Sequence, residues 1–278
     1  MKLRKIVDHY IKLFGCEQMH RIVKKIQNKL IVFKNEKKFI KDNDCFKYML
    51  LENQHSDDLI VVFSSCTKIG VRAQYHYIQT LRDVRANKLF ILDDKASDHR
   101  GGYYIGANMA FNEENVVRTL IQECARKVNA KRLIFVGSSK GAYAALNYGI
   151  EWDSSIIIIG APQYYLGDYL DNIEGEKTTL KHIVGSDIDS DKILFLNNRL
   201  KNKVLQNARQ NQYVYFHYSE KEETYGEQIL PLLNDLKSTK IQLFCDVGDY
   251  SMHSEVGKNY QKFLLSILNE LQRNAFEK

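Results

Sequence analysis

The sequence predicts an α/β protein: a mostly parallel sheet with helices on both faces and a cap inserted between two strands. Three observations point there. Short apolar, β-rich runs recur along the chain, amphipathic segments separate most of them, and one long interval breaks the rhythm. The runs are Leu59–Phe63 (LIVVF), Leu89–Leu92 (LFIL), Leu133–Val136 (LIFV), Ile156–Ile159 (IIII), Tyr213–Phe216 (YVYF) and Ile241–Phe244 (IQLF). Most are continuously apolar rather than alternating, the pattern of strands covered on both faces. Between them, Asn112–Val128 and Tyr225–Leu236 carry apolar residues at helical spacing. The long interval runs from Pro162 to Tyr213 and is rich in Lys, Asp and Asn. A loop of that length carries its own structure or a function, so residues 163–210 are read as a cap over the strand ends. Ligands of such sheets collect at the carboxyl ends of strands, and chemistry is expected just after each run.

The chain opens MKLRKIVDHYIKLFG, with Leu3, Ile6, Val7, Tyr10, Ile11 and Phe14 at helical spacing and Lys and Arg on the other face. That segment is expected to form a helix packed on the domain; a membrane-surface helix is the alternative. It has no signal-peptide pattern, and no stretch reaches the roughly 18 to 20 apolar residues of a membrane span, so a cytoplasmic protein is expected. At 44% hydrophobic and 27% charged residues, disordered and fibrous classes are excluded. Five scattered cysteines, none in a CxxC or Cys/His pattern, read as free thiols rather than a metal site. The net charge of +6 comes from 40 basic residues interleaved with 34 acidic ones. Without an Arg-rich block or basic-aromatic stripe, no nucleic-acid partner is expected.

Gly137-Ser138-Ser139-Lys140-Gly141 lies directly after the LIFV run and directly before the helical AYAALNYG. This is GxSxG in a strand–turn–helix context, the nucleophile elbow, in which a tight turn lifts the central hydroxyl above the sheet. The alternatives are a helix N-cap serine or a phosphate-cradling turn. Ser139 is the candidate nucleophile, and the N–H of Lys140 is the first candidate oxyanion donor. The second is expected from the loop after the Leu59 run, at Ser65 or Cys66. A serine needs a base. His253 follows the last strand in DVGDYSMHSEV, the address that histidine holds in the order nucleophile, acid, histidine; His99 competes. The acid is expected after YVYFHYS, where Glu220, Glu222 and Glu223 lie, and position alone does not choose between Glu222 and Glu223. Arg100, Lys68 and Arg72 fall near strand ends, where they could meet phosphates or an anionic glycan, or simply be solvated. Residues 1–55 are expected as a basic helix and short strands packed on the core, and 56–278 as the catalytic domain with its cap.

GSSKGAYAALNYG followed by IIIIGAPQYYLGDYL resembles one branch of α/β-hydrolase-like proteins. These are bacterial capsular polysaccharide biosynthesis proteins, including capsule O-acetyltransferases, and the related acetyltransferase of the accessory Sec glycoprotein-export system. LDDKASDHRGGYYIG, YSEKEETYGEQI and MHSEVGKNYQKFLLSIL fit the same branch, and the resemblance runs from about Leu59 to Leu268. It implies acetyl transfer from acetyl-CoA, as a cosubstrate rather than a bound cofactor, to a polysaccharide hydroxyl, with no metal. The nucleophile then falls on Ser139, the base on His253 and the acid on Glu223, since the family places it just before a small-residue–Tyr pair, here Thr224-Tyr225. Ala142 stands where relatives often carry a third glycine, and the first fifty residues are not covered. The same chemistry serves a serine esterase or deacetylase if water is the acceptor. A non-catalytic partner in capsule assembly, peripheral to the membrane machinery, is the third reading.

Overall fold

The computed structural model describes residues 16–276; the helix expected at Leu3–Phe14 lies outside them. The chain begins there with helix α1 (Cys16–Asn35) and an antiparallel pair, β1 (Lys37–Lys41) and β2 (Asp44–Leu51). Then follow β3 (Asp58–Phe63), β4 (Asn87–Leu92), α2 (Asn112–Lys127), β5 (Arg132–Ser138), α3 (Lys140–Gly149) and β6 (Ile156–Gly160). The interval after β6 holds α4 (Leu166–Asn172), α5 (Lys177–Val184) and α6 (Ser190–Asn207), and β7 (Tyr213–Tyr218), α7 (Leu230–Ser238), β8 (Gln242–Val247) and α8 (Val256–Phe276) complete the chain.

All eight strands form one sheet, in the order β1-β2-β4-β3-β5-β6-β7-β8. From β4 to β8 every neighbouring pair is parallel; β2 joins β4 antiparallel and carries β1 with it. Every residue of β4 and β6 is buried, which a strand achieves only when both faces are covered. Both α3 and α8 lie along β5 and β6. The two edges differ: β1 presents Lys37, Lys38 and Lys41, which discourage further strand pairing, whereas β8 leaves Phe244 and Val247 exposed.

The six expected strands all form. The helix expected over Tyr225–Leu236 does not run unbroken: a π-helical turn, Tyr225–Ile229, precedes α7. Pro231 sits in the first turn of α7, and its missing N–H withholds the bond that would continue a regular helix back through Glu227. Among the described residues, no helix is long and apolar enough to cross a membrane.

Candidate active site

The site grows from the turn between β5 and α3. Ser139 has φ 52° and ψ −126°, a conformation in which an L-residue is strained and which persists only when its surroundings enforce it. They do so through close packing. A Cβ on Gly137 would stand 2.3 Å from the Gly141 backbone, and one on Gly141 would stand 2.6 Å from the Phe63 carbonyl oxygen. Only glycine fits at either point, so the turn is held against the end of β3. From the other side, the Tyr260 hydroxyl of α8 accepts the Gly137 N–H (3.0 Å) and donates to the Ile158 carbonyl (2.6 Å).

His253 opens a short 3₁₀ turn leading into α8. Its Nε2 lies 2.8 Å from Ser139 Oγ, and its Nδ1 lies 2.5 Å from Glu222 Oε1. Glu222 is buried and also accepts the Thr224 hydroxyl at 2.8 Å. A carboxylate so placed fixes the tautomer with the proton on Nδ1, leaving the Nε2 lone pair toward the serine. Glu223, the acid carried over from the resemblance, does not reach His253. It is exposed, and its N–H donates to the Ser251 carbonyl. In the turn after β7, successive side chains point to different sides, and the one directed inward is Glu222. The competing His99 is exposed, with Nδ1 facing the Asp94 carbonyl.

Ser65 lies beside the elbow, its hydroxyl within 2.9 Å of both the carbonyl and the hydroxyl of Ser138, and the Tyr77 hydroxyl is 2.5 Å from that same Ser138 hydroxyl. Cys66 is turned toward Arg100, which donates to its sulfur at 3.1 Å. Burial and the neighbouring Glu176 push the Cys66 thiol up to about 11, so it is neutral and a poor nucleophile. Arg100 is not a free anion ligand. Its guanidinium is buried and donates to Glu176 (2.7 Å), Thr67 O (2.9 Å) and Gly175 O (2.8 Å), tying the loop after β3 to the segment between α4 and α5. Lys68 and Arg72 are exposed on that loop.

Three features escaped the sequence. First, Lys140, considered only for its N–H, buries its whole side chain: Nζ donates to Asp93 Oδ2 at 3.0 Å and to the Arg100 carbonyl at 2.9 Å. Burial pushes the Asp93 carboxyl up, but the Lys140 ammonium and the N–H groups of Gly102 and Lys95 outweigh it and hold it below its ordinary value. This pair fixes the 93–104 segment beneath the elbow. The one available signal was a single charge, Lys140, at the head of an otherwise uncharged helix, which once buried must find a partner. Second, Gln163, buried at the end of the GAPQ run, places Nε2 3.0 Å from Ser139 Oγ and 3.1 Å from His253 Nε2, while its Oε1 accepts from the Tyr103 hydroxyl at 3.3 Å. The π-helical turn holds the adjoining backbone, since Gln228 Oε1 accepts the N–H groups of both Tyr164 and Tyr165 at 2.8 Å. Third, His76 lies in irregular chain; burial, assisted by the Lys140 ammonium, pulls its imidazole down to about 4.

A strained serine hydrogen-bonded to an imidazole that is oriented by a buried carboxylate is equipped for nucleophilic acyl chemistry. Comparison with solved structures bears on the fold. The capsule O-acetyltransferase of Neisseria meningitidis serogroup A aligns over 84% of this chain and 94% of its own, at 20% identity and a TM-score of 0.68. The fold is α/β-hydrolase-like. A mutant of that enzyme in complex with CoA aligns equally well, at 19% identity. The glycosylation-associated protein (Gap123) complex of Streptococcus agalactiae matches at 21% identity and TM-score 0.67, over 84% of this chain and 46% of that one. These are the two groups that the sequence resembles. An S-formylglutathione hydrolase of Agrobacterium tumefaciens is similar at 12% identity and TM-score 0.55, over 84% and 94% of the two chains. No protein-family model and no curated protein matches the sequence.

Proposed function

We propose that this α/β-hydrolase-like chain is a serine O-acetyltransferase, moving acetyl from acetyl-CoA to a hydroxyl of a bacterial capsular or cell-surface polysaccharide or its precursor. The observation that carries the acyl-transfer chemistry is the continuous path from Ser139 Oγ through His253 to Glu222, at 2.8 and 2.5 Å. Likeness to a capsule O-acetyltransferase, a mutant of which has been solved with CoA, supports the choice of donor and acceptor class.

In the first half-reaction the Ser139 hydroxyl attacks the thioester carbonyl as His253 Nε2 takes its proton. The tetrahedral intermediate collapses, the C–S bond breaks, and CoA leaves with that proton, giving acetyl-Ser139. In the second, an acceptor hydroxyl loses its proton to Nε2 and attacks the ester; the proton then returns to Ser139 Oγ. Glu222 accepts from Nδ1 throughout and stabilises the transient imidazolium. The oxyanion is assigned to the N–H of Lys140, one of the helix-terminal donors that lack an intrahelical acceptor, and to an N–H of Ser65 or Cys66. With Arg100 committed internally, Lys68 and Arg72 are the cations assigned to the phosphates of CoA or an anionic glycan.

Attachment to an anionic membrane belongs to the same proposal. Ile22, Ile26, Leu30 and Phe33 form an exposed apolar stripe on α1, with exposed Lys25 and Lys29 on one side and Lys34 on the other, the layout of an interfacial helix. Co-flotation with phosphatidylglycerol vesicles but not phosphatidylcholine vesicles, abolished by Phe33→Glu with Leu30→Glu, is expected; equal flotation of that variant refutes it.

The deciding experiment is intact-protein mass spectrometry after mixing with acetyl-CoA. One acetyl adduct on the wild type and none on Ser139→Ala is expected. If acetyl-CoA is untouched while simple acetyl esters are hydrolysed, the chain is an esterase. If neither donor reacts and Ser139→Ala retains full function, it is a non-catalytic partner.

A further inference from the structure

Gln163 is buried, yet among the described residues its carboxamide nitrogen has two neighbours to bond, and both are reacting groups: Ser139 Oγ at 3.0 Å and His253 Nε2 at 3.1 Å. Its orientation is fixed, because the Tyr103 hydroxyl donates to Oε1 and so turns the NH₂ toward the serine and histidine. Sheet order fixes the side from which it comes. Ser139 follows β5; the loop with Ser65 and Cys66 arrives from β3 on one side, and Gln163 arrives from β6 on the other. The oxyanion donors therefore lie on the β3 side. Gln163 stands on the side shared with His253, where the sulfur of a leaving thiol or the oxygen of an incoming acceptor must sit to exchange a proton with Nε2.

We propose that Gln163 is a specificity-determining residue that favours transfer over hydrolysis by occupying the acceptor position between the two half-reactions. This rests on the acyl-serine reading above. Once the thiol has left, Ser139 carries the acyl group and the Nε2 lone pair is the only base available to a water molecule. An N–H of Gln163 directed at that lone pair leaves it nothing to offer. Hydrolysis needs water to give its proton to Nε2 while its oxygen attacks the ester carbon, the C–Oγ bond breaking to release the carboxylic acid and regenerate the serine. With the lone pair bonded and the position filled, that step stalls. A polyhydroxylated acceptor brings binding energy from its other contacts and can displace the amide; a lone water cannot, so acceptor binding is used to expose the base.

The test is the lifetime of the acyl-enzyme, which requires no knowledge of the acceptor. Wild type, Gln163→Ala and Gln163→Met are acetylated with acetyl-CoA and, separately, with 4-nitrophenyl acetate. Unreacted donor is then removed, and loss of the adduct is followed by intact mass in buffer alone. Gln163→Ala is expected to shorten the half-life about tenfold or more, a part of the roughly 100- to 10,000-fold that general-base catalysis contributes. Gln163→Met, which fills the position without donating, is expected to fall between. Thermal melting of each variant separates this effect from misfolding, and a folded Gln163→Met keeps the test open should Gln163→Ala unfold. An unchanged or longer half-life in the folded variants overturns the proposal while leaving the acyl-serine reading intact. Acylation by 4-nitrophenyl acetate but not acetyl-CoA removes the donor assignment, and the lifetime comparison still decides on Gln163. A serine silent toward both donors overturns both.

Discussion

His253 holds Glu222 at 2.5 Å through Nδ1, and His217 holds Asp246 at 2.6 Å through the same atom. The two pairs are inverted in their exposure. In the first, the carboxylate is fully buried and the imidazole is 17% exposed; in the second, the imidazole is 4% exposed and the carboxylate 49%. A buried carboxylate acts at low dielectric and orients its histidine strongly, whereas one open to solvent is screened. The far nitrogens differ too. Nε2 of His253 faces Ser139, while Nε2 of His217 is buried without a partner among the described residues, its ring packed between Phe263 and Tyr250 at centroid distances of 5.5 and 5.6 Å. Their origins explain this. His217 and Asp246 are register partners on neighbouring strands and meet because the sheet is paired; His253 and Glu222 come from two separate loops at the strand ends. A third approach, His182 Nε2 to Glu113 at 3.8 Å, is too long for a hydrogen bond. A histidine–carboxylate pair is therefore not in itself a site. What the second nitrogen faces, and which partner is buried, separate the first pair from the second; distance sets the third apart.

The largest expected effect removes what makes the first pair different. Ser139→Ala should lower turnover of an acetyl donor by roughly a millionfold, the scale on which such serines act, while His217→Gln leaves turnover near wild type; a comparable loss in both variants breaks the contrast. Next, Glu222→Gln should reduce turnover about ten-thousandfold, because the wrong tautomer is then favoured. Glu223→Gln and Asp246→Asn should leave it unchanged, and steady-state kinetics of the three variants decides among them.

The same rule of the buried partner predicts a smaller effect at Lys140. Lys140→Met strands the Asp93 carboxylate and should cost about 3 to 5 kcal/mol of stability in chemical denaturation. Lys221→Met, whose pair with Asp249 is open to solvent, should not be measurable. The smallest effect concerns pH at the third pair. Burial, with Asp93 nearby, raises the Glu113 carboxyl to about 7. The folded state thus favours the protonated form, and this contribution is complete below the unfolded value near 4.5 and lost as pH rises through about 7. Glu113→Gln should flatten that decline, by about 1 to 3 kcal/mol across the window. An unchanged pH slope would show that Lys95 at 3.6 Å keeps the group ionised.

How much of this was legible follows from the range of each interaction. The strands were readable because continuous apolar runs are a local consequence of burial on both faces. The elbow was readable because Gly137 and Gly141 answer to contacts within a five-residue turn and its immediate support. Glu222 was not separable from Glu223, since which side chain points inward depends on Ser219, Thr224 and Ser251 closing the turn. Arg100 was misplaced for a related reason: proximity to a strand end says nothing of the carbonyls of Thr67 and Gly175 that consume its donors.

The sequence by itself determined six strands of the sheet, their order along the chain, the elbow at Ser139 and the loop that delivers His253, all encoded in patterns a few residues long. Only the tertiary structure decided the inward glutamate, the burial of Lys140 against Asp93 and the seating of Gln163 between the serine and the histidine. Each joins residues distant along the chain, 24 to 90 positions apart. The physical reason is that a backbone turn is specified by its own dihedral angles. A buried polar side chain is specified by whichever distant partner satisfies it, and that partner is known only once the sheet has brought the loops together.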